Sequence, residues 1–488
     1  MSVLSLIAWT APALGGLLAA LAAGRAGAAA VAGPATTALI GAAVLAGAPI
    51  GTIDLVGGML LVLVGGLAAT VQSYALRQLR GAPGARATTL LLGVVASGSA
   101  VFVTATALPA MAAAWTATGA AFLGVLAIHR ALPGGRDALR RTLIAFVVAD
   151  LALWSAVVLD ATTSSAGLAL DVAAVLLVVA AAARAAQLPL QGWLVATVAA
   201  PTPVCAFLHA GIVNAGGILL LRQTDLFGAS SIAMGTAIAV GAVTMVAAAV
   251  AMAVRSDVKG ILACSTSAQM GFMLVTCGLG VWAATLIHIA GHAMYKAASF
   301  LGAGSAIAAH ARRRSVPAAP ARRHPARDAA IAALAPAAGL LLVAATVPAV
   351  GEKPVLLVFA WITGAAALWG SLPRVQRAGG TVAASMLAVG AAAAYLGATT
   401  ALGALLSLPD TVGHPPAWLA LVPMAAAVGA IAVWQHGGAL RDRLYVRAMR
   451  LGSPRPLPRP VPASLGVTVP LRHALAGRST TVAEGGAA

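Results

Sequence analysis

Apolar runs of about 20 residues, the length that crosses the hydrocarbon of a bilayer, follow one another along this 488-residue chain. They fall roughly at 3–23, 28–48, 52–74, 87–107, 110–129, 139–159, 166–198, 200–222, 231–254, 258–279, 281–304, 328–350, 354–371, 380–406 and 415–434. The sequence therefore predicts an all-α polytopic membrane protein with about 14–15 transmembrane helices. Only 9% of the residues are charged, against about 25% in a soluble domain. The net charge of +18 would suggest nucleic acid in a soluble protein. Here the arginines gather in short loops and in the tail, as the cytoplasmic side of a membrane protein requires.

The loop charges set a topology. After odd-numbered runs come Arg77, Arg80 and Arg86, then Arg130, Arg136, Arg140 and Arg141, then Arg255 and Lys259. Arg312–Arg314, Arg374, Arg377 and the basic tail from Arg441 continue the series. After even-numbered runs stand Asp54, Asp160, Asp225 and Asp410. The expected orientation has the N-terminus outside and the C-terminus in the cytoplasm of a bacterial cell (inner) membrane. The first run lacks a basic segment ahead of it, so it reads as a retained span rather than a cleaved signal. The expected organisation is N-terminal helices over 1–86, a core over 87–371, C-terminal helices over 372–440 and a basic, Pro-rich cytoplasmic tail over 441–488.

The seventh run is too long for one span and contains "AAQLPLQGW". Pro189 removes a backbone donor, so the helix should break near Gln187–Gln191, with Pro201 and Pro203 marking a second interruption. Broken helices at membrane depth are tolerated only against protein or a wet cavity.

Few ionisable groups lie inside the runs: Asp150, Arg184, His209, His288, His292 and Lys296. Each costs at least ~2.5–3.5 kcal/mol in hydrocarbon, so the default reading is functional. A lone histidine reads equally as hydrogen-bonded glue, and an Asp–Arg pair as a structural clamp. "LIHIAGHAMYKAASFL" (286–301) is harder to dismiss. Its His288, His292 and Lys296 recur every fourth residue, one helical step of ~6 Å apart. Only three of the 30 basic Lys and Arg residues are Lys, so a mid-membrane Lys suggests a task Arg cannot perform. A buried lysine can release its proton; an arginine cannot. Histidine exchanges protons more readily still. The row reads as stepping stones for protons, with Arg184 a fixed charge and Asp150 its candidate partner. Asp257 and Lys259 are a possible entry. Cys205, Cys264 and Cys277 show no metal spacing, and no catalytic residue, metal site or cofactor fingerprint appears.

"QLPLQGWLVATVAAPTPVCAFLHAGIVNAGGILLLR" (187–222) and "DVKGILACSTSAQMGFMLVTCGLG…LIHIAGHAMYKAASFLGAGS" (257–305) resemble the proton-conducting transporter family. That family includes the L, M and N subunits of respiratory complex I and the Mrp antiporter subunits. "LHAGIVNAGG", "STSAQMGFML" and "HAMYKA" most resemble the membrane subunits of DAB inorganic-carbon transporters. The resemblance implies a core of two inverted five-helix repeats with a midplane chain of charged residues. It also implies a DabA-like partner, a zinc-containing subunit resembling carbonic anhydrase, with H+ or Na+ as the coupling ion. It further implies vectorial handling of CO2 or bicarbonate. Three departures stand out. Trp115-Thr116 occupies the place of the family's Trp-Glu pair, and Arg184 that of a lysine. The runs 328–350 and 354–371 hold no central Lys or Glu, since Glu352 and Lys353 fall between them. The other readings are a proton-translocating subunit of a complex-I-type or Mrp-type complex, and an anchor that has lost conduction.

Overall fold

The computed structural model describes residues 53–162, 167–305, 325–346, 354–372, 378–406 and 438–452, with a few isolated positions besides. The expected spans 3–23, 28–48 and 415–434, the Glu352–Lys353 loop and most of the tail lie outside the described residues. The described residues form helices and turns, without strands. Nine helical segments among them are long and apolar enough to cross a membrane.

Four helices open the described part: α1 (Leu55–Gln78), α2 (Ala85–Thr104), α3 (Leu108–Ile128) and α4 (Gly135–Thr162). The broken segment follows as α5 (Leu168–Arg184), the short α6 (Gly192–Ala196), α7 (Thr202–Ala210) and α8 (Ala215–Arg222). Then come α9 (Ser231–Ala253), α10 (Val258–Gly278), α11 (Trp282–Leu301), α12 (Pro325–Thr346), α13 (Pro354–Ser371), α14 (Ala378–Leu406) and α15 (Gly438–Gly452). Helices α1, α9 and α10 start on Asp54, Ser230 and Asp257, whose side chains accept from the backbone amides of Gly57, Ala233 and Gly260. Such caps satisfy donors that the first turn leaves open.

One apolar core runs through α1–α11, and a smaller cluster of Ala284, Leu340, Ala360, Ala392 and Leu396 joins α11 to α12, α13 and α14. Helices α9 and α10 pack through glycine. A Cβ on Gly241 would stand 2.5 Å from the carbonyl oxygen of Gly271, and one on Gly271 2.5 Å from that of Gly241. Small residues at such crossings let backbones approach, which is how membrane helices gain dispersion contact.

The break after α5 matches its expected place, and side chains and backbone take up several of the groups it opens. Ala186 adopts a positive φ of 53° and the Leu188–Pro189 bond is cis. The Gln187 amide donates to Ala185 O at 2.8 Å, Leu188 N to Thr244 Oγ1 at 3.0 Å, and the Trp193 indole to Ala183 O at 3.0 Å. Pro201 caps α7 and Pro203 lies in its first turn. The run 200–222 is not one helix, however: it is interrupted at Gly211, between α7 and α8, with a 3₁₀ turn over Ile212–Asn214. That interruption needs no proline. The carbonyls it frees are taken by side chains: Asn214 Nδ2 donates to Ala210 O at 2.7 Å, and His292 Nε2 to His209 O at 3.0 Å.

Candidate functional site

Two polar centres lie inside the bundle. The first is built on α3, α4 and the end of α5. Arg184 is fully buried, its Nη2 3.2 Å from Asp150 Oδ1 and 3.4 Å from the carbonyl oxygen of Trp115. Its guanidinium carbon lies 4.3 Å from the Trp115 ring centre and 3.9 Å from that of Phe146. A planar, delocalised cation stacks this way where an ammonium would not. Gly119 makes room for it: a Cβ there would come 3.0 Å from Nη2 and 3.3 Å from Phe146. Thr116 accepts from the Trp154 indole at 3.1 Å. A cavity of about 40 Å³ borders Arg184, Thr118, Ser99 and Gly211, room for a few water molecules. It connects the first centre to the interruption between α7 and α8.

The second centre gathers His209 from α7, His288, His292 and Lys296 from α11, and an uncharged polar strip from α10. Lys296 Nζ donates to Ser265 Oγ at 2.9 Å and to Leu262 O at 3.2 Å. His292 sits between His209 O at 3.0 Å and Gln269 Oε1 at 2.9 Å from its Nδ1. His209 Nδ1 lies 3.2 Å from Thr266 Oγ1, and its ring stacks on Phe300 with centres 4.3 Å apart. The rings of His288 and His292 are 5.7 Å apart. The Nε2 atoms of His209 and His288 are buried with no hydrogen-bond partner among the described residues. Such atoms are costly to leave open and are where a water or a moving proton finds a place.

Asp257 and Lys259 stand at the N-terminal end of α10. Asp257 caps the helix and pairs with Arg255, while Lys259 donates to Ala200 O at 3.1 Å and lies 3.9 Å from Cys205 Sγ. Cys205 is one helical turn from His209 on α7, so Lys259 sits beneath the second centre. On its other flank His288 borders a cavity of about 330 Å³ between α11 and the helices α13 and α14, walled by Phe272, Gly364, Ala391 and Tyr395 among others.

The structure thus brings His209, His288, His292 and Lys296 together and pairs Asp150 with Arg184. Gln269, Thr266 and Ser265 join the second centre without having been singled out from the sequence. Their signal lay inside "STSAQMGFML", which sets Ser265, Thr266, Ser267 and Gln269 within five residues of an otherwise apolar helix.

Residues 156–319 match the family model described as NADH:quinone oxidoreductase/Mrp antiporter, TM. The chain is 49% identical over 142 residues to the probable inorganic carbon transporter subunit DabB of Hydrogenovibrio crunogenus, covering 29% of this chain and 27% of that protein. It is 33% identical over 276 residues to the probable inorganic carbon transporter subunit DabB1 of Halothiobacillus neapolitanus, covering 52% of this chain and 49% of that one. The matched stretches therefore span half or less of these relatives' length. Among solved structures, the Mrp complex from Dietzia sp. aligns at a TM-score of 0.55 and 26% identity, covering 92% of this chain and 51% of the other. Five of the six ionisable residues inside the apolar runs (all but Asp150) fall within 156–319, the stretch whose sequence matches the NADH:quinone oxidoreductase/Mrp antiporter transmembrane model.

Proposed function

We propose that the chain is the membrane subunit of an energy-coupled inorganic-carbon transporter. In this reading H+ or Na+ passes through the midplane residues and drives a carbonic-anhydrase-like, zinc-containing partner that handles CO2 or bicarbonate. The observation that carries the reading is the second centre. Three imidazoles and one ammonium form a connected cluster, in a stretch most like relatives named as inorganic carbon transporter subunits. Arg184 serves as a fixed charge beside it, since no plausible desolvation neutralises a guanidinium. Lys259, beneath His209, lies at the cytoplasmic approach.

The experiment is complementation of a carbonic-anhydrase-deficient bacterium growing in air. Co-expression of the chain with a DabA-like partner should restore growth, and dissipating the cation gradient should abolish the rescue. Rescue by the chain alone would overturn the partnership. The second reading, an antiporter subunit of an Mrp-type or complex-I-type assembly, draws on the Mrp resemblance. It predicts co-purification with further antiporter-like or redox subunits instead of one large zinc protein.

A further inference from the structure

His292 is held at both ring nitrogens, and the two holds are chemically unequal. On one side stands the carbonyl of His209, which can only accept, so Nε2 must carry a hydrogen. On the other side stands the side-chain amide of Gln269, 2.9 Å from Nδ1. An amide offers an acceptor or a donor according to which end faces the ring, and the two ends have the same shape. With Oε1 toward Nδ1, both flanking atoms are acceptors, and only an imidazolium satisfies them. A neutral ring with hydrogen on Nε2 needs the NH2 end of Gln269 instead.

The carbonyl half of this arrangement is fixed by the fold, because the interruption at Gly211 presents His209 O to His292. Gln269 is the half that can turn. Its titratable neighbours are bases: His288 and Lys296 on α11 and His209 on α7, with the thiol of Cys264 on its own helix. Ser265 and Thr266 are uncharged. None of these groups is a carboxylate, so none of them pairs with an imidazolium at rest.

We infer that Gln269 is a positioning residue that holds neutral His292 with its hydrogen on Nε2, and that its amide turns end for end when Nδ1 takes up a proton. No bond is broken in the turn; the proton adds to the Nδ1 lone pair, and Gln269 changes from donor to acceptor. A relay through His292 then proceeds by way of Nδ1, the side away from the fixed carbonyl. This rests on the proton-pathway reading above, but its first test needs no transport.

The test is solid-state NMR of the full chain in lipid bilayers with ¹⁵N-labelled histidine, the His292 signals being assigned by their loss in His292→Ala. The wild type should show one neutral form, protonated at Nε2 and bare at Nδ1. Gln269→Leu, which removes the amide, should spread His292 over both tautomers. Gln269→Glu, whose carboxylate only accepts when ionised, should yield the doubly protonated ring at a pH where the wild type is neutral. If Gln269→Leu fails to fold, Gln269→Glu carries the same comparison. Hydrogen on Nδ1 alone in the wild type, or an unchanged His292 signature in the variants, would overturn the inference. With the partner present, Gln269→Leu should lower cation-driven carbon uptake about tenfold, the lower end of the loss when the orienting partner of a metal-bound histidine is removed. Uptake at the wild-type rate would overturn the turning role. Absence of any carbon uptake by the wild type, with the NMR result as expected, would count against the functional reading alone.

Discussion

Lys296 illustrates what a single residue can be asked to do at membrane depth. It is fully buried, and its ammonium is held by one hydroxyl and one carbonyl on α10. Both are neutral partners, so the site stabilises a charge without trapping it. Lys296→Arg keeps that charge, but the guanidinium stays protonated at any physiological pH. Cation-driven carbon uptake with the partner present should therefore stop while expression stays normal; full uptake would make Lys296 a fixed charge. His288→Ala and His292→Ala should slow uptake without abolishing it, because water can bridge one missing step. Asp150 and Arg184 test the opposite behaviour. Asp150→Asn leaves the guanidinium between its two aromatic rings without an anion, and breaking such a pair costs about 3–5 kcal/mol when fully buried. Asp150 is 25% exposed, so the lower end is expected, read as a drop in the unfolding midpoint in detergent.

At the scale of elements, length and proline placement made most of the helices legible. The expected 354–371 coincides with α13, and the break at Gln187–Gln191 falls between α5 and α6. The pairing of Asp150 with Arg184 was legible for the same reason, since each would be costly alone in hydrocarbon. The interruption at Gly211 was not, because "LHAGIVNAGG" carries no proline to mark it. There the backbone is released by tertiary partners, Asn214 and His292, which no local period reveals. Gln269 stayed hidden likewise, as a half-buried amide whose role depends on a ring from another helix. The glycine contact between α9 and α10 belongs to this scale as well. Gly271→Ala would place its Cβ against the Gly241 carbonyl and 2.9 Å from Met245 N, both backbone atoms. The helices must separate, and overpacking of this kind costs about 1–3 kcal/mol. Thermal unfolding of the purified protein should show the loss, whereas Gly235→Ala, with open space around it, should not.

For the whole molecule, the two basic connections that follow α1 and α3 share one side. The Thr88 hydroxyl lies 2.9 Å from His129 Nε2, and a Cβ on Gly84 would touch Ile128. On the other side Arg222 pairs with Asp54 at 2.5 Å and donates to Ala105 O at 3.2 Å. The positive-inside rule then predicts the orientation. A cysteine introduced as Pro133→Cys should resist a membrane-impermeant maleimide in intact cells, and Thr106→Cys should react. The native Cys205, Cys264 and Cys277 are buried and leave a clean background. The reverse pattern would invert the topology.

The cavity of about 330 Å³ beside His288 gives α11 two unlike flanks in another respect, its tolerance of change over generations. Toward α10 and α7 the ring of His209 stacks on Phe300, and His292 and Lys296 are held by hydrogen bonds. Toward the cavity, Ala367, Ala388 and Ala391 face open volume, where an added methyl or isobutyl group gains contacts rather than colliding. A saturation library selected for growth should therefore accept Leu or Met at these three alanines and reject them at Ala293 and Ala297 on α11, both of which are buried. Equal depletion at both sets would mean that the volume is occupied in the cell. Drift in such a chain would then be channelled outward, from a core that cannot change toward a flank that can.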